Sequence, residues 1–360
     1  MAGQESGAIV AIDAMGADRG PEEVVEAVAL ALALEAVPKA AEMVLVGDKS
    51  TLEALLRQKG LNGHPRVGLH HASEVIGMDE KAIPSIKHKK DSSMVRAVEL
   101  VRDGRAQVAL SCGNTGALVA AGTLILRRMP GIERAALGSI IPSRDHSFLL
   151  LDAGANPDPT PERLVQNAIL GSGYIKAVLG LERPRVGLLT IGTEEGKGND
   201  TATRTHELLK RCDALIHYVG PIEGFQIFRN TVDVCLIDGF TGNVLLKSLE
   251  SAFFMMKDFL TDELKANPLR MAGAFLAQGA FKRMKQSLDP TPYAGAPLLG
   301  VRGLVVKAHG SSNRAYIQNA IRIACEAIEH DLEARCQRDV AEANKILREQ
   351  PTADPEPVTR

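Results

Sequence analysis

Ten residues, Thr190-Ile-Gly-Thr-Glu-Glu-Gly-Lys-Gly-Asn199, bring together the groups that capture a phosphate: glycines that bare backbone N–H, one lysine and one asparagine. Apolar residues 185–189 precede them, and residues 201–211 follow with helical spacing. A loop between a strand and a helix N-terminus aims amide dipoles at an anion, and the lysine adds charge. Three residues rather than four separate Gly192 from Gly196, and Gly198 stands where a Walker A loop needs its magnesium-binding hydroxyl. Thr201 stands where a dinucleotide fingerprint needs its third glycine. The loop reads as an anion site of neither kind.

Five other junctions repeat its plan of apolar strand, Gly with a small polar residue, then helix: residues 13–20, 113–116, 154–156, 238–243 and 309–313. Any one of them is explained by the need of tight turns for glycine and of helices for Asx caps. Together, most of them carrying asparagine, they read as a polar site. In a parallel sheet the C-terminal strand ends share one edge, so all six are expected to meet in one crevice. Lys87-His-Lys-Lys90, followed by Asp91-Ser-Ser93, is either a second anion contact at a helix start or a solvated basic loop. Cys112 is placed as a nucleophile would be, or as a small buried hydrophobe. His70, His71 and His309 lack a carboxylate partner at ligand spacing, so no metal is expected, and no G-x-S-x-G elbow supplies a covalent serine.

The elements that must hold these loops alternate between strand and helix. Ten strands are expected, at residues 8–13, 43–47, 67–71, 106–111, 137–141, 148–151, 185–189, 215–219, 232–237 and 304–308. Pro21 opens the first helix and Gly60 closes the second; a Pro/Gly-rich turn covers 289–300, and one last helix runs over 314–347. This order predicts an α/β fold with a mostly parallel sheet. A single catalytic domain is expected over 8–348, between loose ends at 1–7 and 349–360.

A net charge of −2 gives nucleic-acid binding no support. Five scattered cysteines suit reduced thiols in a cytoplasmic protein, and neither a signal sequence nor a bilayer span is expected. Residues 249–288 are unusual. They hold five of the nine Phe and four of the ten Met, interleaved with Arg270, Lys282, Arg283 and Lys285. A helical hairpin interrupted near Pro268 is expected, packed on the sheet or a partner subunit, or dipping Phe275 and Leu276 into lipid while the cations meet anionic headgroups.

Taken in order, these segments resemble one family, the bacterial acyl-carrier-protein:phosphate transacylases called PlsX. The resemblance rests on Asp13-Ala-Met-Gly-Ala-Asp18, Met78-Asp-Glu-Lys81, Lys89-Lys-Asp-Ser-Ser-Met94, Ser111-Cys-Gly-Asn-Thr-Gly-Ala117, Leu151-Asp-Ala-Gly-Ala-Asn156 and Asn167. It continues through Ile191–Asn199, Gly220, Glu223-Gly224, Asp238-Gly-Phe-Thr-Gly-Asn-Val244, Tyr293-Ala-Gly-Ala-Pro-Leu-Leu-Gly300 and His309-Gly-Ser-Ser312. Ala17, Pro221 and Cys112 depart from the family pattern. An optional cysteine argues against a cysteine acyl-enzyme.

The resemblance implies a three-layer α/β/α homodimer related to isopropylmalate dehydrogenase and phosphotransacetylase, with a protruding amphipathic hairpin and no cofactor. It implies that phosphate attacks a long-chain acyl thioester on acyl carrier protein, giving acyl phosphate for phosphatidic acid synthesis by a membrane glycerol-3-phosphate acyltransferase. The protein would then be cytoplasmic and bound peripherally to the inner face of the membrane. On this reading Lys197, Asn199, Asn243 and His309 are catalytic, with His309 protonating the leaving thiolate. Lys90, Ser92, Thr193 and Gly196 bind phosphate; Asn114, Thr115, Asn156 and Asp238 hold the thioester and pantetheine arm. Arg270, Phe275, Leu276, Lys282, Arg283 and Lys285 meet carrier protein or membrane. A phosphotransacetylase acting on acyl-CoA and a non-catalytic anion-binding membrane scaffold are the alternatives.

Overall fold

The computed structural model describes residues 7–194 and 197–349. In chain order the elements are β1 Ile9–Asp13, α1 Pro21–Ala33, β2 Glu42–Gly47, α2 Lys49–Gln58, β3 Val67–His71, α3 Ala82–His88, α4 Ser93–Arg102, β4 Val108–Ser111 and α5 Thr115–Ala121. They continue with β5 Ala136–Pro142, β6 Ser147–Leu151, α6 Pro161–Leu179, β7 Arg185–Leu189, α7 Asp200–Arg211, β8 His217–Ile222 and β9 Val234–Leu236. The chain ends with α8 Gly239–Lys265, α9 Pro268–Leu276, α10 Gln278–Ser287, β10 Ala296–Leu299, β11 Leu304–Lys307, α11 Arg314–Glu329 and α12 Leu332–Arg348.

The strands form one sheet in the order β3-β2-β1-β4-β11-β10-β5-β6-β9-β7-β8. Helices cover both faces, as alternation within the strands requires. In β1, Val10 and Ile12 enter the larger core with α1, α6, α11 and α12, while Ala11 enters a second core with α4 and α5. Beyond β5, Phe148 and Leu150 build a third core against the first turns of α8. This is the three-layer α/β/α architecture that the resemblance implied.

The strands do not all run one way. β3, β2, β1, β4 and β11 are parallel. β10 is antiparallel to β11, β5 to β10 and β6 to β5. β6, β9, β7 and β8 are again parallel, and three reversals leave them opposed to the first group. The six polar junctions therefore divide: those after β1, β4 and β11 lie on one edge, and those after β6, β7 and β9 on the other. This corrects the expectation of one shared edge.

The antiparallel β5–β6 pair makes the net reversal. An eleventh strand, β10, runs antiparallel to both of its neighbours and so leaves β11 and β5 pointing the same way. The sequence of β10, Ala296-Pro-Leu-Leu299, lies between Gly295 and Gly300, both at positive φ (99° and 87°), and reads as a turn. Proline argues against a central strand, yet Pro297 pairs with Val306 inside this sheet. Other boundaries shift locally. The basic run up to His88 ends α3 instead of lying in a loop, and the last helix breaks at Asp331, whose φ is 51°.

Helix α8 is docked by missing side chains. A Cβ on Gly239 would stand 2.6 Å from the Asn156 carbonyl oxygen, and one on Gly242 would stand 1.9 Å from that of Asp152. The Gly239 N–H also donates to the Asn156 carbonyl at 2.8 Å. Gly242→Ala is expected to push α8 off the sheet end and to cost about 1–3 kcal/mol of stability, read by urea unfolding. An unchanged midpoint would show that the contact does not hold the helix.

Candidate active site

On the first edge, Asp13, Ser111 and Lys307 stand in register at the ends of three adjacent strands. In-register parallel residues share a face, and the three are 1%, 1% and 8% exposed. Ser111 Oγ donates to Asp13 Oδ2 at 2.6 Å, and Asp13 Oδ1 accepts from the N–H groups of Met15 and Gly16 at 3.2 and 3.1 Å. Lys307 Nζ donates to the backbone carbonyls of Cys112, at 3.3 Å, and Ala308. It forms no ion pair among the described residues. Burial lowers its pKa to about 8; nearby Cys112, Asp18 and Asp13 oppose that shift, and the cation of Lys247 reinforces it. Burial pushes the Cys112 thiol up to about 12, which leaves it protonated and unreactive at neutral pH.

On the second edge, the Asp152 carboxyl takes N–H donors from Leu137, Gly154, Ala155, the Asn156 backbone and Asn156 Nδ2, at 2.8–3.3 Å. Burial raises its pKa, and these bonds pull against that rise. Because every partner donates, only the carboxylate satisfies them all. Next to this knot is a cavity of about 700 Å³, lined among others by Pro159, Thr190, Ile191, Asn199, Asp238 and Phe240. Asn199 caps α7, accepting from the Ala202 N–H at 2.8 Å, and Asp238 caps α8, accepting from the Thr241 N–H at 2.8 Å. Two helix N-termini thus face one cavity, each with first-turn N–H groups that the helix does not use.

Helix α8 carries the second edge toward the first. Phe240, Asn243 and Lys247 follow one helix face at i, i+3 and i+7. Phe240 lines the cavity, Asn243 lies 3.4 Å from the Cβ position of Gly154, and Lys247 acts electrostatically on Lys307.

The residues singled out from sequence separate into two groups. Lys197, Thr193, Asn199, Asn243, Lys90, Thr115 and His309 are exposed, with Asp238 half-buried. Gly196 lies outside the described residues. Asn199 and Asp238 meet at the cavity, with Asn243 beside it. His309, whose Nδ1 contacts Ser311 Oγ at 2.8 Å, stands on the other edge with Thr115. Asn114, Asn156 and Ser92 are engaged within the fold. Asn114 caps α5, accepting from the Ala117 N–H, and its Nδ2 donates to the carbonyls of Gly77, Met78 and Glu80. Asn156 Nδ2 is taken by Ala135 O and Asp152. Ser92, fully buried, caps α4. Lys89 pairs with Glu80 at 2.5 Å, so the basic run is partly neutralised within the chain.

Sequence reading missed Thr190, Lys247 and Lys307. Lys307 had a signal: it is the one charge in the otherwise apolar strand Leu304-Val-Val-Lys307.

A sheet of this kind, with helices on both faces and polar strand ends, places the protein among the phosphotransacylase-type α/β folds. The structure is similar to a phosphotransacetylase from Streptococcus pyogenes, with a TM-score of 0.60 and 18% identity over 90% of this chain and 95% of that one. It is also similar to a branched-chain phosphotransacylase from Enterococcus faecalis V583, with a TM-score of 0.55 and 15% identity over 90% and 99%. These likenesses show the fold. Residues 8–335 match the family described as "Fatty acid synthesis protein". The phosphate acyltransferase of Janthinobacterium sp. (strain Marseille) is 40% identical over 96% of this chain and 95% of its own length. That of Syntrophotalea carbinolica is 41% identical over 91% and 92%. The chain belongs to the phosphate acyltransferase family.

Lys307 makes the site sensitive to pH. Its folded pKa of about 8 lies below the ordinary 10.5, so between those values the unfolded chain binds more protons here than the folded one. Stability from this group therefore rises with pH across that window, and the penalty is complete below it. Relative to Lys307→Met, the wild type is expected to gain about 2–3 kcal/mol between pH 8 and 10.5. A pH-independent difference in denaturant midpoints would contradict a depressed Lys307.

Proposed function

We propose that the protein transfers a long-chain fatty acyl group from the thioester of acyl carrier protein to inorganic phosphate, releasing acyl phosphate for phospholipid synthesis. One observation carries this reading: the N-termini of α7 and α8 face a single cavity whose remaining wall is largely apolar. Phosphate is already a nucleophile, so the protein must capture it, orient it against the thioester carbonyl and stabilise the tetrahedral oxyanion. Helix N-termini, Asn199, Thr190 and the exposed Lys197 can hold the anion; Phe240, Ile191 and the prolines offer the acyl end an apolar wall. No covalent acyl-enzyme is required, which agrees with the inert Cys112.

The donor is distinguished by assay. Purified protein, phosphate and palmitoyl-carrier protein should give a product trapped by hydroxylamine as palmitoyl hydroxamate, much faster than with palmitoyl-CoA. Preference for the CoA ester would make the protein a phosphotransacylase of the other kind. Loss of one charged or charge-assisted contact is worth about 1.5–3 kcal/mol. Lys197→Ala and Asn199→Ala should therefore each raise the KM for phosphate about 10- to 100-fold. An unchanged phosphate KM in both folded variants would place the anion elsewhere.

A peripheral membrane contact has its own support. Helices α9 and α10 bury no side chain, and Leu269, Phe275 and Leu276 are 83%, 69% and 85% exposed. Lys282, Arg283 and Lys285 are exposed beside them, while Arg270 is paired with Glu263. No helix among the described residues is long and apolar enough to cross a bilayer. Apolar tips flanked by cations suit insertion to the depth of the headgroups. In flotation with anionic vesicles the wild type should rise with the lipid, and Phe275→Glu with Leu276→Glu should stay behind. Equal flotation would exclude insertion by this segment.

A further inference from the structure

The head of the substrate fixes where its tail must start. In the proposed reaction the phosphate held in the cavity becomes joined through one oxygen to the acyl carbon. The first methylenes of the chain therefore lie in that same cavity, and from there two directions are open. The floor is made of Leu164, Leu188 and Ile237, all almost fully buried and all members of the packed cores. A chain directed there is stopped by close-packed protein. The rim is different. Ile191, from the loop after β7, and Phe240, from the first turn of α8, both line the cavity, yet they are 82% and 66% exposed. The apolar surface does not end at Phe240. Val244 follows at i+4 on the same face of α8 and is 51% exposed. Leu245 and Leu246 turn instead to the core of Phe148 and Leu150. The first turns of α8 thus seat one apolar face and leave a second, beginning at the cavity, open to water. Ser248, at the next i+4 position, ends it.

We infer that a long acyl chain leaves the cavity between Ile191 and Phe240 and lies along α8 over Val244. The inference rests on the reading of the protein as an acyl-thioester:phosphate transacylase, and it names what selects a long acyl group at that site. A short acyl group stays inside the cavity and touches little of this surface. A long one covers Ile191, Phe240 and Val244, and each methylene laid on them removes apolar surface of both partners from water. The helix advances about 6 Å from Phe240 to Val244, a span of several methylenes. An open track and a closed pocket treat length differently. The track rewards the methylenes that reach it and is indifferent to those beyond, because nothing blocks the end of the chain. A pocket closed by the floor rejects every acyl group longer than its depth.

The test varies chain length on the carrier-protein thioester, with phosphate as acceptor and hydroxylamine as trap. Wild-type kcat/KM should rise about 10- to 100-fold from butyryl to decanoyl, then stay within about threefold through palmitoyl and stearoyl. Phe240→Ala and Val244→Ser should each lower the palmitoyl-to-butyryl ratio of kcat/KM about 3- to 10-fold. Val244→Leu keeps the apolar surface and should keep the ratio. The KM for phosphate should change less than about twofold in all three, because the lost contacts are made by the chain and not by the anion. A folding defect would lower every ester together and leave the ratio where it was, so the ratio reports the track alone. An unchanged ratio in either Phe240→Ala or Val244→Ser would overturn the inference. So would a sharp fall in wild-type activity between decanoyl and stearoyl groups, which would place the chain against the floor. If wild type made no acyl phosphate from any of these thioesters, the transacylase reading itself would fail instead.

Discussion

Two residues without side chains, Gly239 and Gly242, let α8 lie directly on the backbone at the end of β6, and much of the site follows from that contact. The helix start is fixed beside Asp152 and Asn156, where a Cβ would meet carbonyl oxygen. Its free N–H groups are thereby pointed at the cavity that α7 also faces. Its next turns place Asn243 against Gly154 and bring the charge of Lys247 to bear on Lys307. The sheet alone would leave two polar clusters on opposite edges, because the antiparallel β5–β6 pair reverses the strand direction between them. One helix, seated by two glycines, connects what the sheet divides.

The two clusters treat buried charge differently. Asp152 is enclosed by five N–H donors, which offset part of the cost of its burial and shape the loop that receives α8. Lys307 donates to two backbone carbonyls and forms no ion pair among the described residues, so its charge is compensated only in part. The cysteines show the opposite limit. All five are buried, with no electropositive contact strong enough to offset desolvation. What the proposed site offers is positioned dipoles and amines rather than a thiolate.

The alternation of strands and helices was legible in the sequence because each strand is an apolar run closed by glycine and polar residues. The expected helix starts at Pro21 and within Asp91-Ser-Ser93 are those of α1 and α4. What stayed hidden was direction. Ala296-Pro-Leu-Leu299 carries turn residues at both ends and a proline inside, so its place as a central antiparallel strand depends on neighbours far away in the chain, and it is the antiparallel pairing of β5 with β6 that turns the later strands round. The asparagines were ambiguous for another reason: a helix cap and a ligand use the same side chain at the same place. Asn114 and Asn156 proved to be occupied within the fold, whereas Asn199 caps its helix at the rim of the cavity. Lys307 was passed over because a single lysine in a short apolar strand does not itself show which way it faces; in the fold it is buried, in register with Ser111 and, through it, Asp13.

The central claim is that the N-termini of α7 and α8 hold the phosphate of the proposed reaction in one cavity. A crystal structure with a stable acyl phosphonate, which reproduces the product without its labile oxygen bridge, tests this most directly. The phosphonate should sit between the N-termini of α7 and α8 near Asn199 and Thr190, with the acyl chain against Phe240 and Ile191. A phosphonate bound away from both helix N-termini would contradict it.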